Sequence, residues 1–456
     1  MAVEVQAQAL IDAALGALKK AGAEGDAYLE HQRRLSIRVR DQKLDEIQQA
    51  ERLGVGIRAF RDGRLGFVYT SAATPEAVAS AAASAADLAR AATVRDDLML
   101  AEPGPIRDGR DEGTALEIYD PAIEQQPLAA KEALARDAEA AAMAYDPRIK
   151  RSNGAGYAEV QRAVWIANTK GLFRHARRSE LQVDVGPVAE ADGEMQSGDV
   201  DHQACRWQDL PAPQALGQRG GKRAIELLGS QPVATGSYPV LFTPDTGFTL
   251  LLYVATALNG DHLSRGRSWL GDKMQAPLGN ERVTVHNDGR RPRGLAGLPF
   301  DGEGVDTRRT TLIERGKVGE PLADLAAGKR LKKASTGCAM RDGYEALPGI
   351  QTQDLWLEPG TETPEALLAG VDRGLMVLGF SGWWIGLNPS NPNFSSAATG
   401  LWIEHGKVVK PVSRVTVAGS VAEIFGAISA VGNDLVWDHP TKTPTFLVSQ
   451  MSVSGT

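Results

Sequence analysis

The residue types that do chemistry are sparse and scattered in this chain. Its histidines are His31, His175, His202, His262, His286, His405 and His439, and no two lie within six residues of each other. A zinc site legible in sequence needs His, Cys, Asp or Glu at short spacing, and neither a His-Glu-x-x-His run nor a Cys pair occurs. A site built from distant histidines, such as His202, His262 and His286, competes with a reading of them as exposed loop or strand positions. Cys205 and Cys338 lie far apart and read as reduced, buried thiols. Gly379-Phe380-Ser381-Gly382 falls short of a nucleophile elbow, and residues 193–198 fit no phosphate loop. Two clusters remain. Asp301, Glu303 and Asp306, followed by Arg308-Arg309, read as a solvated turn with local ion pairs or as a structured connection lining a groove. Trp383-Trp384, leading into a polar loop that ends at Phe394-Ser395, read as packing or as a wall for a peptide or partner chain.

The element that would have to position a site is the stretch 243–273. Pro244-Asp245-Thr246 reads as a helix start, with Asp245 or Thr246 as cap. The run 248–258 is apolar all round apart from Thr249 and Thr256, which predicts a buried helix. Asn259-Gly260 should stop it in the left-handed conformation. A polar loop with Asp261, His262 and Arg265 follows. The helix itself carries no carboxylate, imidazole or thiol.

The chain has 456 residues, enough for two or three domains, and a net charge of -7, which argues against a surface built to hold nucleic acid. No apolar run reaches the ~18–20 residues of a membrane span. The first twenty-odd residues read as an amphipathic helix and not a signal peptide, so a cytoplasmic protein is expected. The expected fold class is α+β, with N-terminal helix/antiparallel-sheet layers and a β-rich, barrel-like C-terminal domain. The expected domains are 1–94, 113–229 and 235–456, with a charged Pro/Gly-containing linker at 95–112. In the first, a meander of short strands is predicted at 27–32, 35–40, 44–49, 54–60 and 65–70, with Asp62-Gly63 as a hairpin turn. In the second, 152–168 and 172–189 should pair as a hairpin.

Several segments carry a resemblance in order: Pro299-Phe300-Asp301-Gly302-Glu303-Gly304-Val305, Thr307-Arg308-Arg309-Thr310, Leu312-Ile313-Glu314-Arg315-Gly316, Ser335-Thr336-Gly337, Ile403-Glu404-His405-Gly406, Lys410-Pro411-Val412 and Val431-Gly432-Asn433-Asp434. Together they resemble the TldD/PmbA family over nearly the whole chain. Asn391-Pro392-Asn393 departs from it, since members more often carry Thr-Gly-Asp there. The resemblance implies two kinds of subunit. TldD-type chains carry a H-E-A-x-G-H helix, then G-L-E-G-D, and a late Cys, with zinc held by the two histidines and that Cys.

Setting G-L-E-G-D on Ala257-Leu258-Asn259-Gly260-Asp261 places the first ligand at Leu251, the general base at Leu252 and the second ligand at Thr256. The Cys position falls on Val431. Three hydrocarbon side chains and a hydroxyl thus stand where a cation would be gripped. The resemblance therefore implies a PmbA/TldE-like subunit with no catalytic residue and no metal of its own. It implies zinc in a TldD-like partner, a heterodimer enclosing a channel, and extended or unfolded peptides as substrate. Asp261, His262, Arg265, Asp301, Glu303, Trp383, Trp384 and Phe394 are the expected channel lining. The rival expectations are a homodimeric peptide-binding protein without proteolytic activity, and a DNA gyrase modulator, which the acidic balance disfavours.

Overall fold

The computed structural model describes residues 2–104, 111–271 and 273–455. Part of the expected linker, 105–110, lies outside them. The first half begins with α1 (Ala2–Lys20), β1 (Glu24–Arg40), β2 (Lys43–Arg61), β3 (Arg64–Thr70) and α2 (Pro75–Ala91). It continues with α3 (Leu128–Met143), β4 (Ile149–Asn168), β5 (Phe173–Ala191), β6 (Glu194–Ser197), β7 (Val200–Ala204) and α4 (Pro213–Glu226). The five short strands expected at the start are in fact three. Arg33 and Arg34 pair straight through with Glu51 and Ala50. Residues 43–52 are exposed throughout, so the expected strand at 44–49 exists but no burial pattern marks its join to 54–60.

These strands form one antiparallel sheet in the order β3-β2-β1-β4-β5-β6, with β7 also on β5. β1 and β4 pair from Asp26↔Asn168 to Val39↔Ala155. Both hairpin turns out of β1 and β2 use left-handed pairs, Asp41-Gln42 and the foreseen Asp62-Gly63. The β4–β5 hairpin forms as expected, with Ala167 opposite Phe173. One sheet face carries the helices in two patches. α1 and α2 pack on Ala27, Leu29, Val55 and Ile57. α3 and α4 pack on Ile37, Val39, Val183 and Val185. The opposite face, through Tyr28, Val164 and Ile166, meets Leu298, Phe300 and Tyr344 from the second half of the chain.

The second half runs β8 (Gly236–Phe242), α5 (Pro244–Ala257), α6 (Gly260–Ser264), β9 (Val285–Asp288), β10 (Arg309–Glu314), β11 (Lys317–Val318), α7 (Leu325–Leu331), β12 (Ala339–Met340), β13 (Gly349–Ile350) and β14 (Asp354–Leu357). It ends with α8 (Pro364–Ala369), β15 (Arg373–Ser381), β16 (Asn393–Glu404), β17 (Lys407–Ser420), α9 (Val421–Gly426), β18 (Ile428–Val431), β19 (Thr441–Lys442) and β20 (Phe446–Ser454). Strands pair in the order β17-β16-β15-β8-β20, and β17 then pairs with β20, closing a five-stranded barrel with β18 appended to β20. A second sheet, β11-β10-β9-β14-β19, stands beside it. The fold is α+β with the barrel-like C-terminal part expected from the sequence.

α5 leaves the barrel at the end of β8 and packs against both sheets. Its side chains share one buried cluster with Val240 and Phe242 of β8, Leu355 and Leu357 of β14, and Phe394 of β16. Its cap is Thr243, not Asp245 or Thr246. Thr246 completes the cap from the third position: its Oγ accepts the Thr243 N–H at 3.1 Å. The helix ends without a left-handed residue. Asn259 has φ -66 and itself caps α6, accepting the Asp261 N–H at 2.9 Å. The expected polar loop is thus a second, short helix.

Candidate functional site

α5 is not buried all round. Leu250, Leu251, Val254, Ala257 and Leu258 are at most 1% exposed. Asp245, Phe248, Leu252 and Thr256, one stripe at helical spacing, are more open. That stripe borders a half-open cavity of about 440 Å³. Phe248, Leu252 and Trp383 give it an apolar floor. Its walls are Arg219 and Arg223 of α4, Val200 and Asp201 of β7, and His439–Lys442 at β19. Trp383 is fixed there by an edge contact with Phe248, ring centroids 5.6 Å apart, and by its carbonyl, which accepts the Tyr253 hydroxyl at 3.1 Å.

The basic groups on these walls each meet a carboxylate, while Asp199, which also lines the cavity, is exposed and accepts from the Ser197 hydroxyl. Arg223 meets Asp245 at 2.9 Å, Arg219 meets Asp438 at 3.3 Å, and Lys442 meets Asp438 at 2.5 Å. His439 lies 3.3 Å from Asp201. Burial works against ionisation of Asp438, yet Lys442 and its neighbours hold it below the usual carboxylate range. His202, on β7, is held below the usual imidazole range by burial.

The four positions that the sequence singled out separate here. Leu251 and Val431 are 1% and 5% exposed and belong to the same buried cluster. Leu252 faces the cavity. Thr256 is half-buried, and its carbonyl lies 3.2 Å from Nδ1 of His262, an arrangement that a protonated Nδ1 satisfies. A zinc ion does not fit this set, because Leu and Val offer no lone pair and the base position, Leu252, carries no carboxylate of its own. Among the described residues no three His, Cys, Asp or Glu side chains converge to hold a metal. Distant histidines therefore do not build the alternative site.

The remaining expected lining residues do not gather round this cavity. Asp261, His262 and Arg265 sit on α6, where Asp261 holds Arg265 at 2.8 Å and Arg330 at 2.6 Å. Phe394 is 1% exposed in the buried cluster it shares with α5, against Tyr253 and Phe380. Trp384 points outward, 61% exposed. Asp301 and Glu303 form neither a solvated turn nor a groove wall, being 2% and 6% exposed. The reason is partners across the fold. Asp301 accepts backbone N–H groups from Glu303, Val305 and Ala339 at 2.9–3.0 Å. Glu303 accepts from Arg58 at 3.0 Å and from the Leu325 N–H at 2.9 Å. Burial and the Glu303 charge push Asp301 up to about 7, and burial also raises Glu303.

Arg58 also holds Asp26, which Arg341 meets at 3.2 Å; sequence reasoning passed over these three, and Phe248, Arg219, Arg223 and Lys442 at the cavity. Only the spacing of Arg219 and Arg223, one helical turn apart, offered a signal.

Three family descriptions match the chain: PmbA/TldA metallopeptidase domain 1 over residues 25–89, the central domain over 121–228 and the C-terminal domain over 235–455. The chain is 25% identical to "Metalloprotease PmbA" of Escherichia coli O157:H7, covering 99% of this chain and 98% of that one. It is 27% identical to the "Metalloprotease PmbA homolog" of Haemophilus influenzae over 96% and 93%. A Thermotoga maritima structure, solved as a candidate modulator of a DNA gyrase, superposes with a TM-score of 0.87 at 26% identity, covering 98% and 99%. TldE from Thermococcus kodakarensis superposes at 0.83 and 22% identity over 96% and 98%, a likeness of fold. No helix among the described residues is long and apolar enough to cross a membrane.

Proposed function

The chain belongs to the PmbA/TldD metallopeptidase family, and from that premise we propose that it is a non-catalytic, TldE-like subunit. It would work beside a zinc-bearing, TldD-like partner in the cytoplasm, shaping the chamber in which extended or unfolded peptides are degraded or processed. One observation carries this reading: α5 presents two leucines and a threonine at the positions where the resemblance puts a TldD-type helix's ligands and base. Leu251 is sealed in the core and Leu252 lines a cavity with an apolar floor. Leu251, Leu252 and Val431 have neither lone pair nor labile proton, and the Thr256 hydroxyl alone neither holds a zinc ion nor supplies a general base.

The test is direct. The purified chain is assayed for zinc by mass spectrometry and for cleavage of fluorescein-labelled casein, alone and co-expressed with a H-E-A-x-G-H chain from the same genome. The expected result is no stoichiometric zinc and no cleavage alone, with a co-purifying, active complex on co-expression. Near-unit zinc with cleavage by the isolated chain would refute the reading. Peptide binding without any co-purifying partner would favour a stand-alone homodimeric binder.

A further inference from the structure

We propose that the cavity beside Leu252 is a side-chain subsite for one large uncharged residue of an extended peptide, with Leu252 setting its preference. The proposal rests on the peptide-handling reading above and adds the class of side chain recognised. Three observations meet here. The floor is apolar: Phe248, Leu252 and Trp383 line a space of about 440 Å³, within the range of ligand pockets. The apolar strip continues outward to Trp384, whose ring centroid lies 6.0 Å from that of Trp383 and which is 61% exposed. A contiguous exposed aromatic step beside a cavity marks a contact surface.

The second observation is electrostatic. Arg219, Arg223 and Lys442 each already hold a carboxylate within 3.3 Å. An incoming carboxylate or phosphate would have to displace one of these partners, and an incoming ammonium would give up its hydration to an apolar floor, since the further lining carboxylate, Asp199, is solvent-exposed and offers little in return. The occupant that disturbs neither is uncharged. The third is architectural. One wall is β19, an edge strand of its sheet, so a chain lying along it is extended and delivers side chains to alternate sides.

The experiment uses the full-length chain and three fluorescein-labelled Gly-Ser peptides that differ only in a central Phe, Ala or Asp, read by anisotropy. The Phe peptide should bind about tenfold or more tighter than the Ala peptide, the return for burying an aromatic side chain, and the Asp peptide should bind most weakly. Leu252→Trp fills the cavity and should bring the Phe peptide to the level of the Ala peptide. Leu252→Lys should raise affinity for the Asp peptide above wild type, a gain that misfolding cannot produce. Equal binding of all three peptides, or a Phe preference that survives both substitutions, overturns the subsite and leaves the subunit reading standing. If no peptide binds the chain while a TldD-like partner still co-purifies, the subsite alone falls. If neither is seen, both fall.

Discussion

Arg58→Met removes the centre of the network that ties the large sheet to the second half of the chain. Arg58 on β2 donates to both oxygens of Asp26, the Nε contacts being 2.9 and 3.2 Å, and to Glu303 at 3.0 Å. Arg341 joins at 3.2 Å from Asp26. None of the four side chains is more than 6% exposed. Without Arg58, Asp26 is left with Arg341 and Glu303 with the Leu325 N–H. Stripping a buried pair of one partner costs about 3–5 kcal/mol, because the orphaned charge cannot be rehydrated. For a cooperative unit of roughly 200 residues that is a fall in Tm of about 10 °C.

The loss should also depend on pH. Burial raises Glu303 above the usual carboxylate range and Arg58 pulls against that rise. A raised carboxyl keeps its proton in the folded state where the unfolded chain has lost it, so its contribution weakens as pH rises above the ordinary carboxylate pKa. Deleting Arg58 raises Glu303 further, and the gap to wild type should be wider at about pH 8 than at about pH 5. Circular dichroism melts at both pH values read this, and adding Glu303→Gln should recover part of the loss. A Tm change under about 2 °C, the same at both pH values, would refute the account.

Other outcomes follow from the same geometry. Leu251→His places an imidazole in a sealed core and should cost about 2–5 kcal/mol in urea denaturation without raising zinc content. Thr246→Val removes the acceptor for the Thr243 N–H and the bond to the Val377 carbonyl; a loss of about 1 kcal/mol is expected in the same assay. Burial pushes Cys205 up to about 11 and also raises Cys338, so neither should react with a thiol-specific chromogen until the chain is unfolded. His286 is held below the usual imidazole range by burial and by Arg309. Its contribution is intact above the unfolded imidazole pKa and is lost as pH falls below it, so His286→Gln should shrink the Tm drop on acidification.

Much of the fold was legible where burial leaves a period in the sequence. The β4–β5 hairpin, the Asp62-Gly63 turn and the β-rich second half are such cases. The continuity of β2 was not: 44–49 and 54–60 read as separate strands, because the exposed residues 50–52 between them give no buried face to mark the join. The end of α5 was misjudged for a local reason: Asn259-Gly260 suits a left-handed stop, but Asn259 caps the next helix, and its neighbour Gly260 donates its N–H to Leu322 from a distant segment. For the site, sequence could show which side chains stand at 251, 252, 256 and 431. It could not show that Leu252 alone of the aligned hydrocarbons faces open space, since that depends on Trp383 and α4 arriving from elsewhere. Asp301 and Glu303 were misjudged because their partners lie on β2 and at Ala339 and Leu325, contacts that no local charge count reveals.

The closure of the barrel has a bearing on how the chain is made. In β8, Val240 is flanked by Leu375 on one side and Val448 on the other. On a ribosome this apolar segment emerges long before either neighbour exists. Until both are synthesised, its backbone donors and acceptors are open to any stray strand, its own or another molecule's. Nascent chains of this protein should therefore depend on holdase chaperones until the last strand leaves the exit tunnel.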